Sequence, residues 1–281
     1  MSNHSPALNN RHYLVLLILV AGCVNGFSQS FFPQLANPTW KSLSETFGVN
    51  PIMWLALLLG SRLQLQQTVK PIQLSDSVLA VLMCVGFIIP SSLPAWLLLI
   101  AYTTYYLWRD RGNVASIAPL SIFLVLVLCE PIMFFSLKVL SEYVLSFDAF
   151  LSHLLINLFS NTNQQINNVI QIAGRDGFIV VIEGCSSIPN MAFALVAWVA
   201  VVRTMYPQWR RVDFVFIALL MLAMLVINAI RIAVASHTDH LMDLLHNSWG
   251  RDVYDGAVLV ITIGFIFWGR QYHAKSQRTL A

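Results

Sequence analysis

Apolar runs that approach or reach the length of a bilayer crossing recur along nearly the whole chain, and they constrain its fold more than any other feature. A helix needs about 17–25 apolar residues to cross a membrane. Runs of this kind fall at roughly 13–28, 50–63, 77–91, 93–108, 116–137, 188–204, 213–235 and 253–269. The second, third and fourth are short, and Pro90, Ser91, Ser92 and Pro94 mark a tight turn between the third and fourth. Composition agrees: 57% of residues are hydrophobic and only 10% charged, with a mean hydropathy of +0.69. Soluble domains carry about 25% charged residues, so lipid must cover most of this surface. The expected fold is an all-α polytopic membrane helix bundle of about eight transmembrane helices. At 281 residues such a bundle uses nearly the whole chain, which reads as one domain: N-terminal spans in 1–138, an extracytoplasmic segment in 139–187 and C-terminal spans in 188–281. The net charge of +3 gives no sign of a nucleic-acid partner.

Basic residues in short loops set the orientation. With the N-terminus inside, the cytoplasmic side holds Arg11, Arg62, Lys70, Arg109, Arg111, Arg203, Arg210, Arg211, Arg270, Lys275 and Arg278; the other side holds Lys41, Lys138, Arg175, Arg231 and Arg251. The balance is eleven to five, so both termini are expected in the cytoplasm of a cell whose inner membrane holds the chain. Val20-Ala21-Gly22-Cys23 resembles a lipoprotein cleavage box, which would lipidate Cys23. Only one arginine precedes it, and small residues within a span commonly serve helix packing.

The one long extramembrane segment begins with SEYVLSFDAFLSHLLINLF. There Tyr143, Leu145, Phe147, Phe150, Leu151, Leu154, Leu155 and Leu158 form a broad apolar stripe, as in an amphipathic helix lying along the interface. NNVIQIA, GRDG and FIVVIEG then read as a β-hairpin, two β-branched runs around a Gly-Arg-Asp-Gly turn.

That hairpin leads to Cys185. The cysteines at 23, 84 and 129 lie inside apolar runs, where a thiol usually packs as a small hydrophobe, and only Cys185 stands in a mixed-polarity stretch. From Cys185 the chain crosses, turns at a basic loop and crosses back, so Arg231 returns to the same outer surface, about one turn inside it. An arginine within an apolar run is costly and usually faces the bundle interior or a water-filled cavity. His246 follows in the short segment before the last span. A thiol, a guanidinium and an imidazole thus converge on one face. Glu183, two residues before the thiol, would share its side of a strand and orient Arg231 or His246, or serve as support. Glu130, beside Pro131 in the fifth span, is either functional or satisfied by the backbone that the proline frees.

Glu183-Gly184-Cys185-Ser186-Ser187-Ile188, then Asn228-Ala229-Ile230-Arg231, then His246 through Gly250 resemble the exosortase/archaeosortase family of membrane-embedded, sortase-like cysteine transpeptidases. The resemblance covers about residues 139–270, departing where Ser187 replaces the usual Gly and Pro189 a common Arg. It implies Cys185, Arg231 and His246 as catalytic residues, with Glu183, Ser186 and Asn228 in support. The thiolate would attack a peptide carbonyl, Arg231 would stabilise the oxyanion or the thiolate, and His246 would protonate the leaving amine. The implied substrates are exported proteins anchored in the membrane by a C-terminal signal, comprising a short motif, a hydrophobic helix and a basic tail. The resemblance implies no cofactor and no metal.

Two other readings compete. His240, Asp243 and His246 are spaced by three and are zinc-ligand types, which would suit a membrane metallohydrolase, although no HExxH-type motif is present. A transporter or assembly subunit would tend to show inverted repeats and broken helices near the midplane, whereas the polar residues here cluster at one interface.

Overall fold

Each of the predicted apolar runs coincides with a helix in the computed structural model, which describes residues 10–44, 46–88, 92–158, 164–172, 178–247 and 249–278. The side chains of Lys41, Ser44, His246, Asn247, Gln277 and Arg278 also lie outside the described part. Among the described residues, four helical segments are long and apolar enough to cross a membrane: Val114–Val139, Ile188–Met205, Arg211–Ala235 and Trp249–Ser276. The first predicted run is a helix that ends at Gly26 and continues, after a 73° bend, as Ser28–Ala36. The second and third are helices of 15 and 13 residues, below the usual crossing length.

The chain divides into two compact units, Met1–Pro131 with Val199–Trp209, and Ile132–Trp198 with Arg210–Ala281. The first contains α1 (Arg11–Gly26), α2 (Ser28–Ala36), α3 (Trp40–Ser44), α4 (Pro51–Leu65), α5 (Leu74–Gly86), α6 (Ser92–Arg109) and most of α7 (Val114–Phe134). Gly22 and Gly26, one turn apart, let α1 press onto α6. A Cβ at Gly22 would lie 2.5 Å from the Leu99 side chain, and one at Gly26 2.4 Å from Trp96. This is the close approach that small residues in apolar helices permit, and Cys23 is fully buried beside it. At one end of this unit Asp110 accepts Arg11 at 2.5 Å and Lys70 at 3.4 Å, while Asp76 accepts the Tyr106 hydroxyl and Arg109. Three of the basic residues assigned from sequence to one side therefore gather together.

The second unit extends α7 by a turn of π-helix, Phe135–Val139, followed by α8 (Ser141–Asn157). A three-stranded antiparallel sheet follows, β1 (Gln164–Ile166), β2 (Val169–Gln171) and β3 (Phe178–Val180), in the order β1-β2-β3. The β2–β3 pair is the predicted hairpin, with Ile170 opposite Ile179. Its Gly174–Gly177 turn lies outside the described residues. The strand β1 was not predicted, since QQI offers no apolar alternation; it pairs through a turn in which Asn167 takes φ +52°. The unit is completed by the first half of α9 (Ile188–Met205), α10 (Arg211–Ala235), α11 (Asp239–Asn247) and α12 (Trp249–Arg278).

The amphipathic helix is present, but most of its apolar stripe faces outward. Tyr143, Phe147, Phe150, Leu154 and Leu158 are exposed, whereas Leu145, Asp148, Ala149, Ser152 and Ile156 are buried toward α10. An outward apolar stripe is what a helix lying along an interface presents; the inward stripe of Asp148, Ala149 and Ser152 was not predicted. Among helices apolar enough to meet lipid, bulky apolar groups lose nothing by facing out, and small or hydrogen-bonding residues allow helices to approach closely. The far end of this unit is tied by a buried pair, His273 Nε2 and Asp213 Oδ1 at 2.6 Å. Asp213 also accepts the Arg210 backbone N–H at 2.7 Å.

Candidate active site

The inward stripe of α8 prepares the site from below. Asp148, 2% exposed, projects toward the start of α9 and accepts three hydrogen bonds there. The Ser186 hydroxyl donates to Oδ2 at 2.9 Å, the Ser187 backbone N–H to Oδ2 at 3.1 Å, and the Ser187 hydroxyl to Oδ1 at 2.8 Å. Burial pushes the Asp148 carboxyl above the ordinary carboxylate range, against the pull of these serine bonds and of Asn228. Asp148 therefore holds the segment just after Cys185, a role not predicted from sequence.

Cys185 ends a short 3₁₀ turn, Glu183–Cys185, whose backbone is closed by Cys185 N–H to the Ile182 carbonyl at 2.8 Å and Ser186 N–H to the Glu183 carbonyl at 3.1 Å. Because β3 stops at Val180, Glu183 and Cys185 are not strand neighbours sharing a face. Glu183 does not orient Arg231; it accepts Lys138 Nζ at 2.7 and 3.0 Å, both side chains being largely exposed. The turn is steadied from the other side by Asn228, fully buried on α10, whose Nδ2 donates to the Cys185 carbonyl at 2.9 Å. Behind the thiol lies an apolar cluster that includes Leu145, Ala149, Val181 and Ile232. Cys185 itself is 6% exposed and forms no disulfide.

In front of the thiol is a cavity of about 370 Å³. Glu183, Cys185, Ser186 and Arg231 line it, together with Asn190, Arg251, Tyr254 and Asp255. Cys185 and Arg231, 46 positions apart in sequence, thus share one cavity. The Arg231 guanidinium lies over the Tyr254 ring, 4.5 Å from its centroid, and Nη2–H donates to the Leu245 carbonyl at 3.2 Å. Its Nε–H is buried and meets no acceptor among the described residues. Leu245 directly precedes His246, whose backbone lies in α11 and whose side chain is outside the described part. The Tyr254 hydroxyl donates to Asn228 Oδ1 at 3.2 Å and accepts from Asn190 Nδ2 at 2.8 Å. Arg251 and Asp255 face each other across one helical turn at 3.9 Å.

The site therefore combines a nearly buried thiol, a permanently charged guanidinium with one donor that meets no acceptor among the described residues, and an open cavity between helix ends. Those are the parts that nucleophilic attack on a carbonyl requires: a sulfur, a cationic partner for developing negative charge, and room for the reacting group. Among the described residues, no three His, Cys, Asp or Glu side chains gather as metal ligands. His240 and Asp243 are exposed on α11, and the third member of that trio, His246, falls outside the described side chains. Of the residues that sequence reasoning overlooked, Asp148 carries a visible signal. It is the one acid beyond the first turn of α8, and Leu145, Asp148, Ala149, Ser152 and Ile156 recur at helical spacing. Comparison with protein-family models, with curated proteins and with solved structures returns no match.

Proposed function

We propose that the chain is an exosortase-like cysteine transpeptidase, spanning a cell's inner membrane about eight times with both termini cytoplasmic. Its substrates are exported proteins held in the bilayer by a C-terminal hydrophobic helix followed by a basic tail. The observation that carries this reading is the cavity that Cys185 and Arg231 line together, with the Cys185 carbonyl fixed by Asn228. The thiolate of Cys185 attacks the scissile carbonyl and forms a C–S bond. Arg231, already stacked on Tyr254 and with an N–H to spare, stabilises the resulting oxyanion. The C–N bond breaks as His246 gives a proton to the departing amine, leaving a thioester on Cys185. An acceptor nucleophile then takes the acyl group, its proton returns to His246, and the thiolate is restored. Placing this chemistry at a membrane boundary suits a substrate whose own helix delivers the cleavage point there.

The test is co-expression of the full chain with candidate membrane-anchored substrates, following cleavage and trapping a thioester at Cys185. Cys185→Ala is expected to abolish cleavage and leave the fold intact. Sustained cleavage by that variant, or loss of cleavage to a strong chelator with rescue by zinc, would overturn the proposal in favour of the metallohydrolase alternative; a Cys185→Ala chain that keeps its cellular function would overturn it in favour of a transporter or assembly subunit.

A further inference from the structure

The hydrogen bonds around Tyr254 have a direction. Asn190 donates through Nδ2 to Tyr254 Oη at 2.8 Å, Tyr254 donates to Asn228 Oδ1 at 3.2 Å, and Asn228 donates through Nδ2 to the Cys185 carbonyl at 2.9 Å. Each link fixes the next. An amide side chain has one accepting and one donating end, and only the environment decides which faces where. With Tyr254 donating to Oδ1, the Nδ2 of Asn228 is left to face the Cys185 carbonyl. The same tyrosine ring carries the Arg231 guanidinium at 4.5 Å, and Tyr254 is only 6% exposed. One side chain thus touches both the support of the thiol and the cation beside it.

We propose that Tyr254 is a positioning residue that sets Cys185 and Arg231 in register, its hydroxyl orienting Asn228 and its ring seating the guanidinium. This rests on the cysteine-enzyme reading of the site and deepens it. Tyr254 makes no bond to the reacting atoms. Asn190, at the far end of this run of bonds from Cys185, lines the same cavity as the sulfur.

The experiment is a double-mutant cycle on the full-length protein in lipid nanodiscs. Alkylation of Cys185 by iodoacetamide is followed across pH, by the mass of the peptide that carries it. Tyr254→Phe keeps the ring and removes the relay. Loss of one neutral hydrogen bond in a buried network is expected to slow alkylation at pH 7 by about two- to ten-fold. Asn228→Ala is expected to slow it at least as much, and the double variant to match Asn228→Ala alone, since the two side chains act in series. Should Tyr254→Phe not fold, Asn190→Ala reads the same chain from its outer end and is expected to slow alkylation in the same direction. A Tyr254→Phe profile that superimposes on the parent's, or effects that simply add, would overturn the relay. This readout needs no substrate, so normal coupling without any cleavage would sink the peptidase reading and leave the relay standing.

Discussion

Replacing Asp148 tests how the segment around Cys185 is held. Asp148→Leu, close in size, removes an acceptor that three donors share. The two serine hydroxyls can rotate toward other acceptors, but the Ser187 backbone N–H cannot. A buried donor left unsatisfied costs about 1–3 kcal/mol, so a loss of about 2 kcal/mol is expected. For a chain of this size that lowers the apparent melting temperature by roughly 4–8 °C at a fixed scan rate. Asp148→Asn keeps an acceptor for Ser186 and Ser187 N–H, and its amide can donate to the Ser187 oxygen, so its loss should stay within about 1 kcal/mol. A thiol-reactive dye added during heating reads the transition, because Cys23, Cys129 and Cys185 are buried until the fold opens. The parent and Asp148→Asn also separate in pH. Burial raises the folded carboxyl of Asp148 above its unfolded value, so its contribution is fully present below the unfolded value and is lost as pH rises through the folded one. The parent should therefore lose part of its stability over that rise, and Asp148→Asn should not. An Asp148→Leu protein melting with the parent, at every pH, would refute the anchoring role.

Two further outcomes follow from the same geometry. Arg231→Lys keeps the charge but loses the planar fork that both stacks on Tyr254 and reaches the Leu245 carbonyl; cleavage should fall about 10²-fold with little change in melting, as measured by single-turnover kinetics. Gly250→Ala would put a Cβ 2.7 Å from the Leu244 carbonyl oxygen, where α11 meets α12. Overpacking there is expected to cost about 1–3 kcal/mol and to slow cleavage, because the neighbouring Leu245 carbonyl holds Arg231; a variant with parental melting and rate would contradict this.

The apolar runs made the positions of the helices legible, since hydrophobic length alone marks them. The hairpin before Cys185 was legible from its β-branched runs, and the meeting of Cys185 with Arg231 from counting crossings. The inward stripe of α8 was not. A stripe of Tyr143, Phe147, Phe150 and Leu154 has the same periodicity whether it meets a protein core or lipid, and only the small and polar stripe of Asp148, Ala149 and Ser152 distinguishes the two. The partner of Glu183 also escaped, because the chain leaves its strand at Val180 and a turn redirects the side chain toward Lys138. Tyr254 was hidden for a different reason: at the start of a long apolar helix, a tyrosine reads as an interfacial anchor, and nothing local reveals that it bridges Asn228 and Arg231.

The packing of α8 against α10 also means that residues 139–187 do not form an excisable module. Cut away from α9 and α10, Cys185 would lose the Asn228 amide that holds its carbonyl, and Leu145 and Ala149 the wall that Ile232 and Ala233 provide. Such a fragment would clump rather than fold. The segment that bears the thiol and the helices behind it are one indivisible piece of architecture.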